Sequence, residues 1–363
     1  MDISPFPYQG PLEPGQVRAR HELAADLLER ITEHRVTALL GPRRYGKTSV
    51  LRRVAADIEA AGPVVVWADL YEVSSMADLA ARLDDGLGGV GGSSGDRLSR
   101  IAAGASLNLG LIRVELRSPS RSRPDPLLTV HTQMDVLTAL ARSTPVVLIF
   151  DEFSSIKRVD GAAGLLRTHL QPFFQTLGLV FAGSEPSMMQ ALFTDQAEPF
   201  YAQADLIEIG PLTAAEVVDL VTDGFTETGR SAGPLPHRIA ELGAGHPQRS
   251  MQLADTAWRL VTLGDAATAS TWDDTLHAIR GATANGLERL YSSLRDGEKD
   301  VLRIVASGGS IFGTAAELLD LSTGSAQHAR RALLDRGHLH RDDDGLRLVD
   351  PIFADWIRER FPL

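Results

Sequence analysis

The chain has no cysteine in 363 residues. Disulfides and thiolate metal sites are therefore excluded, which agrees with a cytoplasmic protein. Lysine is almost absent too, with Lys47, Lys157 and Lys299 set against thirty-three arginines. No apolar run approaches the roughly 20 residues of a membrane-spanning helix. The first residues, MDISPFPYQGPLEPG, lack the basic region and apolar stretch of a leader. The ten histidines show no paired metal-ligand spacing, which argues against a structural zinc site. A formal net charge of −11 argues against indiscriminate coating of nucleic acid and leaves a local basic patch as the route to it. What remains is an ordinary soluble composition, 44% apolar and 23% charged, in a chain long enough for two or three domains.

One of the three lysines sits in a motif. Residues 41–48 read Gly-Pro-Arg-Arg-Tyr-Gly-Lys-Thr, a complete G-x-x-x-x-G-K-[ST] loop, between a strand-like run (VTALL, 36–40) and an amphipathic helix. In such a loop glycines let backbone N–H groups turn inward around a phosphate. Gly41, Pro42, Arg43, Arg44, Tyr45, Gly46, Lys47, Thr48 and Ser49 are accordingly candidate nucleotide contacts. Lys47 is placed for the β- and γ-phosphates, and the Thr48 hydroxyl for Mg²⁺.

Four further apolar runs follow, at 64–70 (VVVWADL), 146–150 (VVLIF), 179–182 (LVFA) and 205–209 (DLIEI). Runs without alternation predict strands buried on both faces of a parallel sheet, with helices between them. The expected fold class is α/β: a P-loop NTPase core with a five-stranded parallel sheet. The core spans 1–210, with a flexible insertion at about 84–126. Within it, residues 86–96 are Gly/Ser-rich, Leu107 to Leu116 alternates like a hairpin, and 117–126 (RSPSRSRPDP) reads as a solvated loop. From Leu212 the period turns helical, and Thr213 to Glu216 forms a capping box. An all-α lid is expected over 211–286. A third unit, 287–363, reads as three helices and a hairpin around Asp342 to Gly345, the layout of a winged helix.

The run VVLIF ends in Asp151-Glu152. At the carboxyl end of a buried parallel strand, Asp151 is a candidate for the Mg²⁺ shell beside Thr48, and Glu152 for the general base that polarises water. Ser184 follows the next strand. It either senses a γ-phosphate or caps the helix that starts near Pro186.

The runs GPRRYGKTSVL, VVLIFDEFSSI, LVFAGSEPSMMQALF and EPFYAQADLIEIGPLTAAE resemble the archaeal-type ATPase family of STAND-like P-loop ATPases, close to the AAA+ group. Gly245-His246-Pro247 is similar to the lid G-x-P motif, and LVDPIFADWIRERF to the terminal segment. The resemblance spans about Gly10 to Phe361. It implies ATP or ADP with Mg²⁺ as ligands, a catalytic glutamate that follows an additional central strand, a lid and a C-terminal winged helix. It places His246 and Pro247 against the nucleotide and makes Arg249 a sensor candidate. Two departures stand out: Ala19-Arg20-His21 replaces a Gly-Arg-Glu signature, and Gln203 replaces an arginine that often follows Pro-hydrophobic-Tyr. An arginine acting on transition-state charge contributes about 10³–10⁵ in rate, so its absence predicts slow turnover.

The resulting expectation is a slowly hydrolysing regulatory ATPase switch that engages a protein partner or self-assembles, without a membrane. The alternatives are a DNA-handling ATPase (an initiator or transposition helper) and a nucleotide-stabilised assembly protein without turnover. Residues 287–363 carry a net charge of −2, and Asp342, Asp343 and Asp344 occupy the wing tip. Both features disfavour DNA, although the candidate recognition helix holds His328, Arg330, Arg331 and Arg336.

Overall fold

The five apolar runs become five strands of one sheet. The computed structural model describes residues 3–110, 124–342 and 345–363, the Asp342 side chain excepted. The strands are β1 (Thr37–Leu40), β2 (Val64–Asp69), β3 (Val146–Asp151), β4 (Gly178–Gly183) and β5 (Asp205–Glu208). Their order is β2-β3-β4-β1-β5, and every pairing is parallel. The strand that leads into the glycine loop and the strand that ends in Asp151 are therefore separated by one additional strand, β4. Leu40 lies opposite Gly183 and Phe150 opposite Phe181, which brings the carboxyl ends of β1, β3 and β4 to one edge.

Parallel strands need crossovers, and helices supply them here. After α1 (His21–Thr32) and β1 comes α2 (Lys47–Ala61); α3 (Met76–Gly88), α4 (Gly92–Gly104) and α5 (Pro126–Ala141) then join β2 to β3. α6 (Ala162–Leu170) joins β3 to β4, and α7 (Pro186–Thr194) joins β4 to β5. The central strands β1, β3 and β4 are buried at every residue. The outer strands depart from the expectation of burial on both faces: β2 and β5 alternate between more and less exposed positions. Each is an edge strand, so one of its faces is only partly covered.

The Gly/Ser-rich residues 86–96 do not form the irregular chain that their composition suggests. They close α3 and open α4, where Leu98 and Ala102, one turn apart, are buried. α4 packs on α5, and this apolar stripe outweighs the poor helix propensity of glycine and serine. Of the expected Leu107–Leu116 hairpin, residues 107–110 form no strand and the remainder lies outside the described residues, as does most of 117–126. Asp125 caps α5 by accepting from Leu128 N at 2.8 Å.

Five phenylalanines fill the core beneath the carboxyl edge. Phe150 stacks on Phe181 at 5.6 Å, and Phe153, Phe193 and Phe200 close around Phe181 at 4.4, 5.3 and 5.1 Å. All but Phe193, at 2% exposure, are wholly buried.

After β5 the chain is helical: α8 (Ala214–Glu227), α9 (Leu235–Gly243), α10 (Pro247–Leu260), α11 (Ala269–Ser292), α12 (Asp296–Ala306), α13 (Thr314–Leu318) and α14 (Thr323–Asp335). An antiparallel hairpin, β6 (Leu339–Asp342) and β7 (Gly345–Leu348), precedes α15 (Pro351–Arg360). The expected capping box forms: the Thr213 hydroxyl accepts from Glu216 N at 3.1 Å, and the Glu216 carboxylate from Thr213 N at 2.8 Å. α11 runs unbroken through residue 287, where the sequence reading begins its third unit. The chain groups into two compact units. One is Glu13–Gly41 with Lys47–Ile209, and the other is Met1–Leu12, Pro42–Gly46 and Gly210–Leu363. In the second unit Phe6 packs against Phe225 of α8 at 5.7 Å, and Gly224 leaves its ring the space that a Cβ would fill.

Candidate functional site

The carboxyl edge of β1, β3 and β4 carries Gly41, Asp151, Glu152 and Ser184, with Lys47 bonded to Gly41 and Thr48 to Asp151. Gly41 ends β1 at φ +155, and a Cβ there would meet Ile209 Cγ2 at 2.3 Å, so only glycine lets the chain turn at that point. Gly46, at φ +89, turns it back into α2. Arg43 and Arg44 are exposed, Pro42 and Tyr45 are buried, and Arg44 takes the left-handed conformation at φ 67. Lys47 and Thr48 open α2, followed by the buried Ser49. The Lys47 ammonium is buried and donates to Gly41 O at 2.8 Å across the loop.

Thr48 Oγ1 donates to Asp151 Oδ2 at 2.8 Å, which ties α2 to the end of β3. Asp151 is 4% exposed. Burial pushes its carboxyl up to about 6, the Thr48 hydrogen bond pulls it down, and the Glu152 and Asp69 charges push it up again. Asp69 was not singled out from the sequence. It ends β2 directly opposite Asp151, the same strand-end placement that marks Asp151 itself.

Glu152 sits in the left-handed region at φ 52, ψ 41, a conformation that costs a non-glycine residue on the order of 1 kcal/mol. Its side chain is held in place. Glu152 Oε2 accepts from Ser184 N at 3.1 Å and from Ser184 Oγ at 2.7 Å. Of the two roles open to Ser184, capping is absent: Glu185 occupies the N-cap of α7, and no side chain caps that helix. Gln203, in the turn after Tyr201, donates to Tyr201 O at 3.3 Å.

The remaining candidates lie in the second unit. His246 caps α10, its Nδ1 accepting from Arg249 N at 3.3 Å, and Pro247 takes the first helical position. The Tyr45 ring meets that of His246 edge-on at 5.1 Å and that of His340 in β6 at 6.1 Å. Arg249, the sensor candidate, is bound to Asp350, with Nε 2.9 Å from Oδ1 and Nη2 on Oδ2, and it also reaches Gln252 at 2.6 Å. Burial pushes the Asp350 carboxyl up, but Arg249 more than offsets this and holds it below the ordinary carboxylate range. Asp350 also caps α15, accepting from Ile352 N at 3.0 Å. The sequence signal for Asp350 was the Asp-Pro at a helix start, which marks a cap and says nothing of Arg249.

Burial depresses the His246 imidazole to about 4, with Arg249 and Arg44 adding to the effect and Asp350 opposing it. Between pH 6.5 and about 4 the unfolded state therefore carries a proton on His246 that the native state lacks, and stability falls as pH falls. At 1.36 kcal/mol per unit the loss reaches about 3 kcal/mol. Asp151 works in the opposite direction, because the native state holds its proton between 3.8 and about 6. The test is the difference in urea-unfolding free energy between wild type and His246→Asn from pH 7 to pH 4. Asparagine keeps a cap acceptor and does not titrate, so the His246 slope should vanish in the variant; parallel curves would show that it is absent.

Among the described residues, no group of three or more His, Cys, Asp or Glu side chains is placed to hold a metal on its own. The donors Thr48 Oγ1 and Asp151 are hard oxygens, joined by the 2.8 Å bond. This set fits a small divalent ion that completes its shell with water and phosphate oxygens. A glycine-hinged loop, a buried ammonium and a helix N-terminus suit a polyphosphate.

No protein-family model and no curated protein matches the chain. Solved structures do. The Walker-type ATPase PABY2304 of Pyrococcus abyssi superposes with a TM-score of 0.69 at 19% identity, covering 98% of this chain and 99% of that one. The ORC2 protein of Aeropyrum pernix, in ADPNP–ADP complexes, gives 0.59 at 16% identity, covering 98% and 95%. The ORC1 protein of Aeropyrum pernix in complex with DNA gives 0.51 at 15% identity, covering 95% and 93%. At these identities the likeness establishes architecture: the chain has the P-loop NTPase fold that the Walker-type ATPase and the ORC proteins share, over nearly its full length.

Proposed function

We propose that this chain is a STAND-like regulatory ATPase. It binds ATP or ADP with Mg²⁺ at Gly41–Ser49, turns over slowly, and couples the nucleotide state to a helical lid (211–286), a winged helix (287–363) and a partner. The observation that carries this reading is the 2.8 Å bond from Thr48 to the buried Asp151, with the Lys47 ammonium on Gly41 O and Glu152 anchored by Ser184. Mg²⁺, when bound, supplies charge neutralisation at the phosphates. Thr48 and Asp151 would hold it, and Lys47 would offset phosphate charge. Glu152 would accept the proton of an attacking water, with Ser184 fixing its carboxylate. His246, whose ring meets that of Tyr45, would with Pro247 report the state of the loop to α10. The nucleotide complexes named for the ORC2 structure support the ligand class.

The complex named for the ORC1 structure favours DNA as a second reading. On this chain α14 offers a reduced basic face: Arg336 is bound to the buried Glu298, and the Arg330 Nε is buried. A protein partner or a second copy is therefore preferred. Among the described residues no helix is long and apolar enough to cross a membrane, and a cytoplasmic location fits this role.

The test is the sedimentation mass of the full chain with ADP and with a slowly hydrolysed ATP analogue, with and without duplex DNA. A change of mass or shape between nucleotides is expected without DNA. Identical sedimentation in all nucleotide states would remove the switch, and a salt-sensitive complex formed with DNA alone would favour the second reading.

A further inference from the structure

Arg249 in α10 and Asp350 at the start of α15 are 101 residues apart in sequence and meet within the second unit. Arg249 Nε lies 2.9 Å from Asp350 Oδ1 and Nη2 bonds Oδ2, while Nη1 reaches Gln252 Oε1 at 2.6 Å. A guanidinium that grips a carboxylate with two prongs presents the geometry that also grips a phosphate. The pair stands close to the loop. Arg249 N donates to Nδ1 of the buried His246, and the His246 ring meets that of Tyr45 edge-on at 5.1 Å. Residues 42–46 of the loop belong to the same unit, and the charges of Arg249, Asp350 and Arg44 all act on the His246 imidazole.

Both partners keep other bonds when the pair opens. Asp350 Oδ1 accepts from Ile352 N at 3.0 Å and from Phe353 N at 3.4 Å, so its carboxylate remains the cap of α15. Arg249 keeps Gln252, but its side chain is 11% exposed, and a charge so little hydrated needs an anion beside it. Exchange of the carboxylate for a phosphate oxygen meets that need, and simple rupture does not. We infer, resting on the reading of Gly41–Ser49 as a nucleotide loop, that Asp350 is a specificity-determining residue of that site, because it competes with the γ-phosphate of ATP for the Arg249 guanidinium. Asp350 is a positioning residue that acts through Arg249. It holds ATP affinity down and leaves ADP affinity unchanged, since ADP lacks the group and the charge that draw Arg249 away. A ligand shifts a protein between two arrangements only by its differential affinity for them, and here the two ligands differ by one phosphate.

The experiment measures the equilibrium affinity of the full chain for a slowly hydrolysed ATP analogue and for ADP, each with Mg²⁺. Wild type is compared with Asp350→Asn, Arg249→Ala and the double variant. Asparagine keeps an oxygen for Ile352 N and Phe353 N and loses the charge that binds Arg249. Asp350→Asn is expected to bind the analogue at least about fivefold tighter than wild type and ADP within about twofold of it. In the Arg249→Ala background the same substitution should leave both affinities unchanged. Asp350→Ser, a cap of another shape, should reproduce the rise, so a folding defect in one variant, read by a thermal melt, leaves the other to decide. An analogue affinity unchanged or lowered in folded Asp350→Asn, or an equal gain for ADP, overturns the inference and makes the pair a structural tie. Failure of the wild type to bind either nucleotide removes the nucleotide reading of the loop, and the inference with it.

Discussion

Replacing Lys47 by alanine is expected to weaken ATP binding about a hundredfold or more, equivalent to about 3 kcal/mol, while the chain stays folded. Lys47 is 4% exposed as a residue and its ammonium bond is buried, so it meets a phosphate without a further large desolvation cost. In the structure described it donates to Gly41 O, the carbonyl at the start of the loop, which shows that its reach covers the loop interior. Removing it leaves that carbonyl short of one donor and leaves phosphate oxygens without a counter-charge. The first effect costs about 1 kcal/mol of stability and the second falls wholly on binding. Equilibrium binding of a fluorescent ATP analogue, paired with a thermal melt, separates the two. Unchanged affinity in a folded Lys47→Ala chain would remove the loop from the nucleotide reading, since no other lysine lies near it in sequence.

The central strands, the glycine loop and the Asp151-Glu152 end were legible because each rests on local chemistry. A continuous apolar run specifies a strand buried on both faces, and Gly41 and Gly46 occupy backbone conformations that other residues resist. The edge strands were misjudged for a reason invisible in their residues: DLIEI has the composition of a strand, but its place beside β1 alone decides which face is covered. Helix α4 was missed because Gly92, Ser93, Ser94 and Gly95 carry no helical signal, and the stripe of Leu98 and Ala102 lies just beyond them. Pairings across long stretches of sequence were also out of reach. Arg249 with Asp350, and Glu152 with Ser184, join segments whose proximity is a product of the fold. The second pairing gives the Ser184 hydroxyl a partner other than the helix cap that the sequence also allowed, since Glu185 is the N-cap of α7.

Glu152→Gln is expected to retain ATP binding within about threefold and to lower turnover by about 10²–10⁴, the usual contribution of a positioned general base. The amide is nearly isosteric, and its oxygen can accept the same two bonds from Ser184 N and Oγ that Glu152 Oε2 accepts. The loop, the αL backbone at 152 and the Thr48–Asp151 link are then undisturbed, and what disappears is the capacity to take a proton. Ser184→Ala provides the contrast. It removes the 2.7 Å hydroxyl bond and leaves the backbone N–H at 3.1 Å, so the carboxylate loses half its anchor and keeps its basicity. Its turnover should fall by roughly tenfold, with the larger loss at the carboxylate itself. Single-turnover phosphate release from preformed ATP complexes measures both. On the proposed reading, with Gln203 at the place where the resembling family often has an arginine, the wild-type rate against which these losses are read is itself expected to be slow. If Glu152→Gln released phosphate at the wild-type rate, the carboxylate would have no part in the chemical step. The Ser184 bond would then serve only to relieve the left-handed turn at residue 152.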